Sequence, residues 1–262
     1  MSSGFTIDFV SESKPRMRIR QVVWPVVLAF ALFLEGAPLP LLAQDIDSAI
    51  SAGKQAIESG RPDEALDLFS RLIASDPQAV LYYYRGLAYS AKNEERLAVQ
   101  DFTRAVSLQP LQASYYLRRG VSLLRSAQYQ QAIDDFTKVM ELEPENPYAR
   151  GRRARGLFYL GQTQRALDDL LQAIRLNPNN AALYRLRGDI HSASGNFENS
   201  VRDYDAAIQL KPDDSAAYNN RGIALANLGR TREAVADLNK AMEIAPSKPS
   251  PGPPAGVREP PW

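Results

Sequence analysis

The sequence contains no cysteine, which excludes structural disulfides, thiolate metal sites and cysteine nucleophiles. It contains one histidine, His191. Catalytic triads and metal sites that use histidine need further partner residues, and neither a cysteine nor a second histidine is present to supply them. We therefore interpret His191 as a packed helix residue and expect no metal site and no cofactor.

Other signatures of catalysis are also scarce. No glycine-rich phosphate loop follows a strand, and no segment has a convincing strand pattern. Neighbouring carboxylates occur at Asp134-Asp135 and Asp168-Asp169, and paired carboxylates can carry out acid–base chemistry. Both pairs fall on amphipathic segments, where a solvated face and ion pairing explain them. We predict that the chain is not an enzyme.

Neither sign of charge dominates the composition. The formal net charge is +1, which gives no reason to expect nucleic acid or an anionic membrane as a partner. Apolar residues make up 45% of the chain, enough for a buried core.

The N-terminal segment has the features of a secretory signal peptide. Three arginines between residues 16 and 20 precede a 13-residue apolar run at 22–34, and small residues follow. A membrane span needs about 20 apolar residues. We predict a signal peptide over residues 1–43, with Met17 as an alternative start, and a periplasmic or secreted mature chain. The alternative is an uncleaved N-terminal membrane anchor.

Prolines recur at a nearly constant interval after this segment. They are Pro77, Pro110, Pro144, Pro178, Pro212 and Pro246, separated first by 33 residues and then by 34. Such a period is typical of repeat architectures, in which each repeat is one supersecondary unit. The units, within the region 44–248, are 46–78, 79–112, 113–146, 147–180, 181–214 and 215–248.

Two small residues and one large residue recur at fixed places in the units, counted from the first residue of each. The eighth and twentieth places are small, and the twenty-fourth is large and apolar. The twenty-fourth residues are Phe69, Phe102, Phe136, Leu170, Tyr204 and Leu238. Apolar residues at three- and four-residue spacing predict two amphipathic helices per unit. Gly60, Gly161, Gly195 and Gly229 fall between them, where a left-handed turn residue is favoured.

This pattern resembles the tetratricopeptide repeat family, and the resemblance covers residues 46–248. It implies an all-α fold, a right-handed α-solenoid of stacked antiparallel helix hairpins. Independently of the family, one hairpin cannot bury its own apolar face, so neighbouring hairpins must stack.

An arginine and an aspartate vary together across the units. The seventh place is Arg and the twenty-third is Asp in five units, whereas the first unit has Ala52 and Leu68. We predict a salt bridge between the two helices of each unit; the alternative is that these arginines contact a ligand. The pairs are Arg85 with Asp101, Arg119 with Asp135, Arg153 with Asp169, Arg187 with Asp203, and Arg221 with Asp237.

The resemblance also implies a binding surface, because the first helices of family members line a concave groove. Carried over place by place, the middle of this groove is basic with aromatic residues between the arginines. The predicted partner-binding residues are Tyr83, Arg118, Arg125, Arg152, Arg155, Tyr159, Arg185 and Asn219. Arginines on such a surface favour carboxylates, so the predicted partner is a protein or peptide with an acidic or C-terminal segment. The alternative is a solvated basic face without a specific ligand.

The C-terminal end predicts a second contact. Residues 249–262 are rich in proline and are expected to be disordered. The last helix therefore lacks a covering helix, and we expect part of its apolar face, at Val235, Leu238, Ala241 and Ile244, to be exposed and to allow self-association.

We expect an exported adaptor that assembles other proteins. The alternative is a chaperone-like or regulatory module of an envelope enzyme or secretion complex.

Overall fold

The structure is a computed structural model that describes residues 43–245. Within that range it contains twelve α-helices and no strand. The helices are α1 (Ala43–Glu58), α2 (Pro62–Ser75), α3 (Ala79–Ala91), α4 (Glu95–Leu108), α5 (Ala113–Arg125), α6 (Tyr129–Leu142), α7 (Pro147–Tyr159), α8 (Thr163–Leu176), α9 (Ala181–Ala193), α10 (Phe197–Leu210), α11 (Ser215–Asn227) and α12 (Thr231–Ile244). The predicted signal segment up to residue 42 and the proline-rich tail lie outside the described residues.

The helices form six antiparallel hairpins, one per sequence unit. In each hairpin the turn contains one residue with positive φ. Four of these residues are the predicted glycines, Gly60, Gly161, Gly195 and Gly229, with φ between 72° and 76°. In the other two hairpins, Asn93 (φ 60°) and Ala127 (φ 57°) adopt the same conformation, although an alanine there is strained.

The second helix of each hairpin ends before the repeat proline. For example, α2 ends at Ser75, and the next residue, Asp76, is extended with φ −147°. The residue before a proline is pushed out of the helical region by the proline ring. The prolines therefore mark the boundaries between hairpins.

Inside each hairpin the large residue at place 24 packs against the small residue at place eight. A Cβ atom added to Gly120 would lie 2.8 Å from Cε1 of Phe136, and one added to Gly86 would lie 2.7 Å from Cε1 of Phe102. The fourth hairpin has Ala154 instead, and its large residue is the smaller Leu170. Close approach of the two helices thus depends on a matched pair of side chains.

Neighbouring hairpins bury a continuous core between them. Val139, near the end of α6, packs with Ala113 of its own hairpin and Ala149 of the next one. Ala207 packs with Ala217 in the same way two repeats further on. Each second helix except the last, α12, is therefore covered by the first helix that follows it, and the predicted α-solenoid is confirmed. Among residues 43–245, no helix has the length and apolar character that a membrane span requires.

Candidate functional site

The Arg–Asp pairs are salt bridges within the second to sixth hairpins, as predicted. Arg153 donates hydrogen bonds from Nε and Nη2 to the two carboxylate oxygens of Asp169, both at 2.7 Å. The pair Arg119–Asp135 has the same geometry, at 2.8 and 2.6 Å. The aspartates are buried. The hydrogen bonds that Arg153 donates to Asp169 raise the pKa of Arg153, which is therefore fully charged.

Four of the five bridges, all except that of Arg187, also extend to the preceding hairpin. The Nη1 group of Arg153 donates to Thr137 Oγ1 at 3.1 Å, and that of Arg221 donates to Asp205 Oδ1 at 2.6 Å. In four hairpins the guanidinium lies over the ring of the tyrosine at place four, with centroid distances of 5.5–5.6 Å. Because these arginines hold hairpins together, they form a structural ladder. The predicted ligand groove is a separate set of residues.

Four of the eight predicted groove residues line one cavity of about 950 Å³: Arg155, Tyr159, Arg185 and Asn219. An adjoining cavity of about 210 Å³ is lined by Arg152 and by Arg155, which both cavities share. The structure therefore brings five of the predicted residues together on helices α7, α9 and α11. The other three, Tyr83, Arg118 and Arg125, lie on α3 and α5 and line neither cavity.

Two of the predicted arginines carry ion pairs that the sequence did not indicate. Arg185 is 4% exposed, and its Nε lies 3.1 Å from Oδ2 of Asp214 in the loop between α10 and α11. Burial lowers the pKa of Arg185, and Asp214 opposes that effect. Nη1 of Arg125 lies 2.7 Å from Oε1 of Glu95 in the preceding hairpin. Both positive charges are therefore balanced by neighbouring carboxylates.

The remaining predicted residues differ in exposure. Tyr83 is half-buried in an aromatic cluster, 5.0 Å from the ring of Tyr115 and 5.2 Å from that of Tyr84. Tyr159 stacks on Tyr129 at 4.8 Å. Arg118 and Asn219 are exposed. The role of Tyr83, Tyr159, Arg118 and Asn219 in partner binding stays a prediction.

Asp189 is the polar centre of the larger cavity. Its Oδ1 accepts hydrogen bonds from the Tyr204 hydroxyl and from Nδ2 of Asn220, both at 2.9 Å. Burial raises the pKa of Asp189, while these hydrogen bonds oppose the rise. The sequence carried a signal for this cluster, because Tyr204 occupies place 24, where three other units have phenylalanine. The hydroxyl of Tyr204 requires a partner when it is buried.

His191 is a packed helix residue, as predicted, but its polar edge is not fully satisfied, because Nδ1 finds no hydrogen-bond partner among the described residues. Its side chain is 18% exposed, and Nε2 lies 3.9 Å from Oδ2 of Asp203. Burial lowers the pKa of His191, with a smaller opposing effect from Asp203, so the ring is neutral at pH 7. Among residues 43–245, no group of three or more histidine, aspartate or glutamate side chains is arranged to hold a metal ion.

The last helix is exposed in part. Val235 is 51% exposed and Met242 is 62% exposed. Leu238 and Ile244 are half-buried. The expectation was wrong for Ala241, which is only 9% exposed because a small residue at place 27 lies deep beside the neighbouring helix. Self-association through this face stays a prediction.

Comparisons with known proteins place this fold in one family. Family models described as tetratricopeptide repeat match residues 50–113, 83–147 and 188–251, and one described as TPR repeat matches 155–195. No curated protein matches the sequence.

Solved structures share the fold at low identity. MamA from Desulfovibrio magneticus RS-1 is 22% identical, with a TM-score of 0.57 over 66% of this chain and 97% of that one. YrrB, described as a TPR protein with an unusual peptide-binding site, is 24% identical, with a TM-score of 0.52 over 69% and 93%. PilF from Pseudomonas aeruginosa is 17% identical, with a TM-score of 0.65 over 77% and 92%. The family models together span most of the hairpins described above, and the chain belongs to the tetratricopeptide repeat family.

Proposed function

We propose that the chain is an adaptor that holds an extended acidic segment of a partner protein in the groove formed by α7, α9 and α11. The observation that carries this proposal is the meeting of Arg152, Arg155, Tyr159, Arg185 and Asn219 around two adjoining cavities. Guanidinium groups on a partly desolvated surface bind carboxylates through paired hydrogen bonds.

The character of the cavity walls supports a peptide as the occupant. Apolar side chains, among them Phe158 and Leu186, alternate with polar ones, among them Asn219 and Asn220. An extended peptide needs both, because its side chains require apolar contact and its backbone requires hydrogen-bond partners. The peptide-binding site named for YrrB is compatible with this proposal.

Charge reversal tests the proposal. We expect fluorescein-labelled peptides randomised over glutamate, alanine and glycine to bind in a salt-sensitive way, measured by fluorescence polarisation. Changing both Arg152 and Arg155 to glutamate should abolish that binding. The matched control changes Arg165 and Arg175 to glutamate, because both are exposed on α8 and line neither cavity. Equal binding by the two double variants would contradict the groove assignment, as would failure of the wild-type protein to bind the peptides.

We also propose that the adaptor acts after export, on the basis of the basic and apolar N-terminal segment. Expression in a Gram-negative host, followed by fractionation and N-terminal sequencing, tests this part. A mature N-terminus near Gln44 in the periplasmic fraction supports a cleaved signal. An intact N-terminus in the membrane fraction would instead support the anchored form.

A further inference from the structure

The fifth place of the fourth unit is a glycine, whereas the other units carry a larger residue there. Gly151 stands where the other units have Ile50, Tyr83, Leu117, Arg185 and Asn219. A Cβ atom at Gly151 would lie 2.6 Å from Cδ2 of Leu183 on the next first helix. The glycine therefore lets the Leu183 side chain of α9 pack directly against the backbone of α7 at the edge of the groove.

The small cavity of about 210 Å³ lies beside this contact between Gly151 and Leu183. Its apolar part is made by Gly151, Leu183 and Leu186, and the latter two are 6% and 7% exposed. Drug-sized ligands occupy cavities of roughly 300–1,000 Å³, so this one is of the size to take a single large side chain. Tyr148, which is 60% exposed, borders it and would lose exposed aromatic surface when the cavity is filled.

The charged side chains that line the small cavity are both arginines. Arg152 and Arg155 line it, and none of its eight lining residues in the described part of the chain is acidic. The larger cavity differs, because Asp189 lies in its wall. An apolar side chain that enters the small cavity therefore brings the residues beside it next to guanidinium groups, where carboxylates are favoured.

We propose that this cavity is the anchor site of the groove and takes one leucine-sized aliphatic side chain of the partner, flanked by acidic residues. The inference rests on the proposed function and adds the motif by which the partner is chosen. Binding energy in interfaces concentrates in a few buried anchors surrounded by residues that exclude water. One buried leucine is enough to dominate the selection, because burial removes nearly all of its apolar surface from water.

The test uses two peptide pools, both randomised over glutamate, alanine and glycine. One pool has leucine at its central residue and the other has alanine. We expect the wild-type protein to bind the leucine pool about tenfold more tightly, or better, the ratio that corresponds to 1.4 kcal/mol. Gly151→Leu should bind both pools with the affinity that the wild-type protein has for the alanine pool.

A second variant and a control keep the test decisive if Gly151→Leu unfolds. Ala182→Leu narrows the same cavity from α9 and should also remove the preference for leucine. Ala226→Leu makes the same change at an exposed residue that does not line this cavity, and should leave the preference intact. Persistence of the leucine preference in the folded cavity variants, or its absence in the wild-type protein, overturns the anchor site. If the wild-type protein binds the alanine pool, the proposed function survives that result. If it binds neither pool, both proposals fail.

Discussion

Arg153 and Asp169 join the two helices of the fourth hairpin through two parallel hydrogen bonds of 2.7 Å. The side chain of Asp169 is 9% exposed and that of Arg153 is 18% exposed. A carboxylate buried to this degree is stable only while its partner is present, because an unpaired buried charge is strongly unfavourable. The same relationship recurs in five consecutive hairpins, so the stack depends on it repeatedly.

A double-mutant cycle measures the coupling in this pair. We expect the effects of Arg153→Ala and Asp169→Ala on the free energy of unfolding to be non-additive, with a coupling of about 0.5 kcal/mol or more in urea denaturation. The control is the exposed pair Arg61–Glu64, for which coupling should lie near the lower limit of surface pairs. Additive effects of Arg153→Ala and Asp169→Ala would show that the interaction between the two side chains does not contribute to the free energy of unfolding.

The within-hairpin bridge was predictable, whereas its extension to the preceding hairpin was not. Arg and Asp are lost together in the first unit, which exposes their coupling in a single sequence. The residue at place 25 that Arg reaches across the interface varies in type, from Ser70 and Thr103 to Asp205. It is leucine, Leu171, before Arg187. A contact that several side chains can satisfy leaves no constant residue to recognise.

The candidate site shows the same division. The resemblance to the tetratricopeptide repeat family implies that Arg155, Arg185 and Asn219 share the concave face, and the structure brings them to one cavity. The ion pair of Arg185 with Asp214 depends on how far each hairpin rotates and rises relative to the next one. That geometry is set by packing between hairpins, and no spacing along the chain encodes it. The twelve helices were predictable because each follows a local period, but charge balance in the groove was not.

We expect a substitution at Ala127 to stabilise the fold, because this residue has the left-handed conformation that glycine adopts in four other turns. Left-handed geometry costs a non-glycine residue about 1–2 kcal/mol, partly offset by the greater flexibility of glycine in the unfolded chain. We expect Ala127→Gly to raise the free energy of unfolding by about 0.5–1 kcal/mol. The reciprocal change, Gly161→Ala, meets no atom within 4 Å, so we expect it to destabilise by a similar amount through the backbone alone. Destabilisation by Ala127→Gly would refute this account.

The paired sizes at places eight and 24 predict a rescue. Gly120→Ala places a methyl group within 3 Å of the Phe136 ring, and overpacking of this kind costs about 1–3 kcal/mol. The greater helix propensity of alanine returns up to about 1 kcal/mol. Adding Phe136→Leu recreates the combination Ala154–Leu170 of the fourth hairpin, and we expect the double variant to be more stable than the sum of the single effects predicts. Chemical denaturation of the four proteins tests this, and a purely additive result would count against matched packing.

His191 predicts a dependence of stability on pH. Burial lowers the pKa of His191 in the folded chain, so below the unfolded value of about 6.5 the unfolded chain binds this proton more tightly. The contribution of His191 to stability is therefore complete above about pH 6.5 and is lost as the pH falls towards the lowered folded pKa.

Leucine occupies the same place in three other units, at Leu123, Leu157 and Leu225. Replacing His191 with leucine also removes a buried Nδ1 that finds no hydrogen-bond partner among the described residues. We expect His191→Leu to be more stable than the wild-type protein, with a difference that widens between about pH 7 and about pH 5.5. Carboxylates are shared by both proteins, so their titration cancels in the comparison. Urea denaturation across that range decides the matter, because a constant difference would mean that the histidine is not buried in its neutral form.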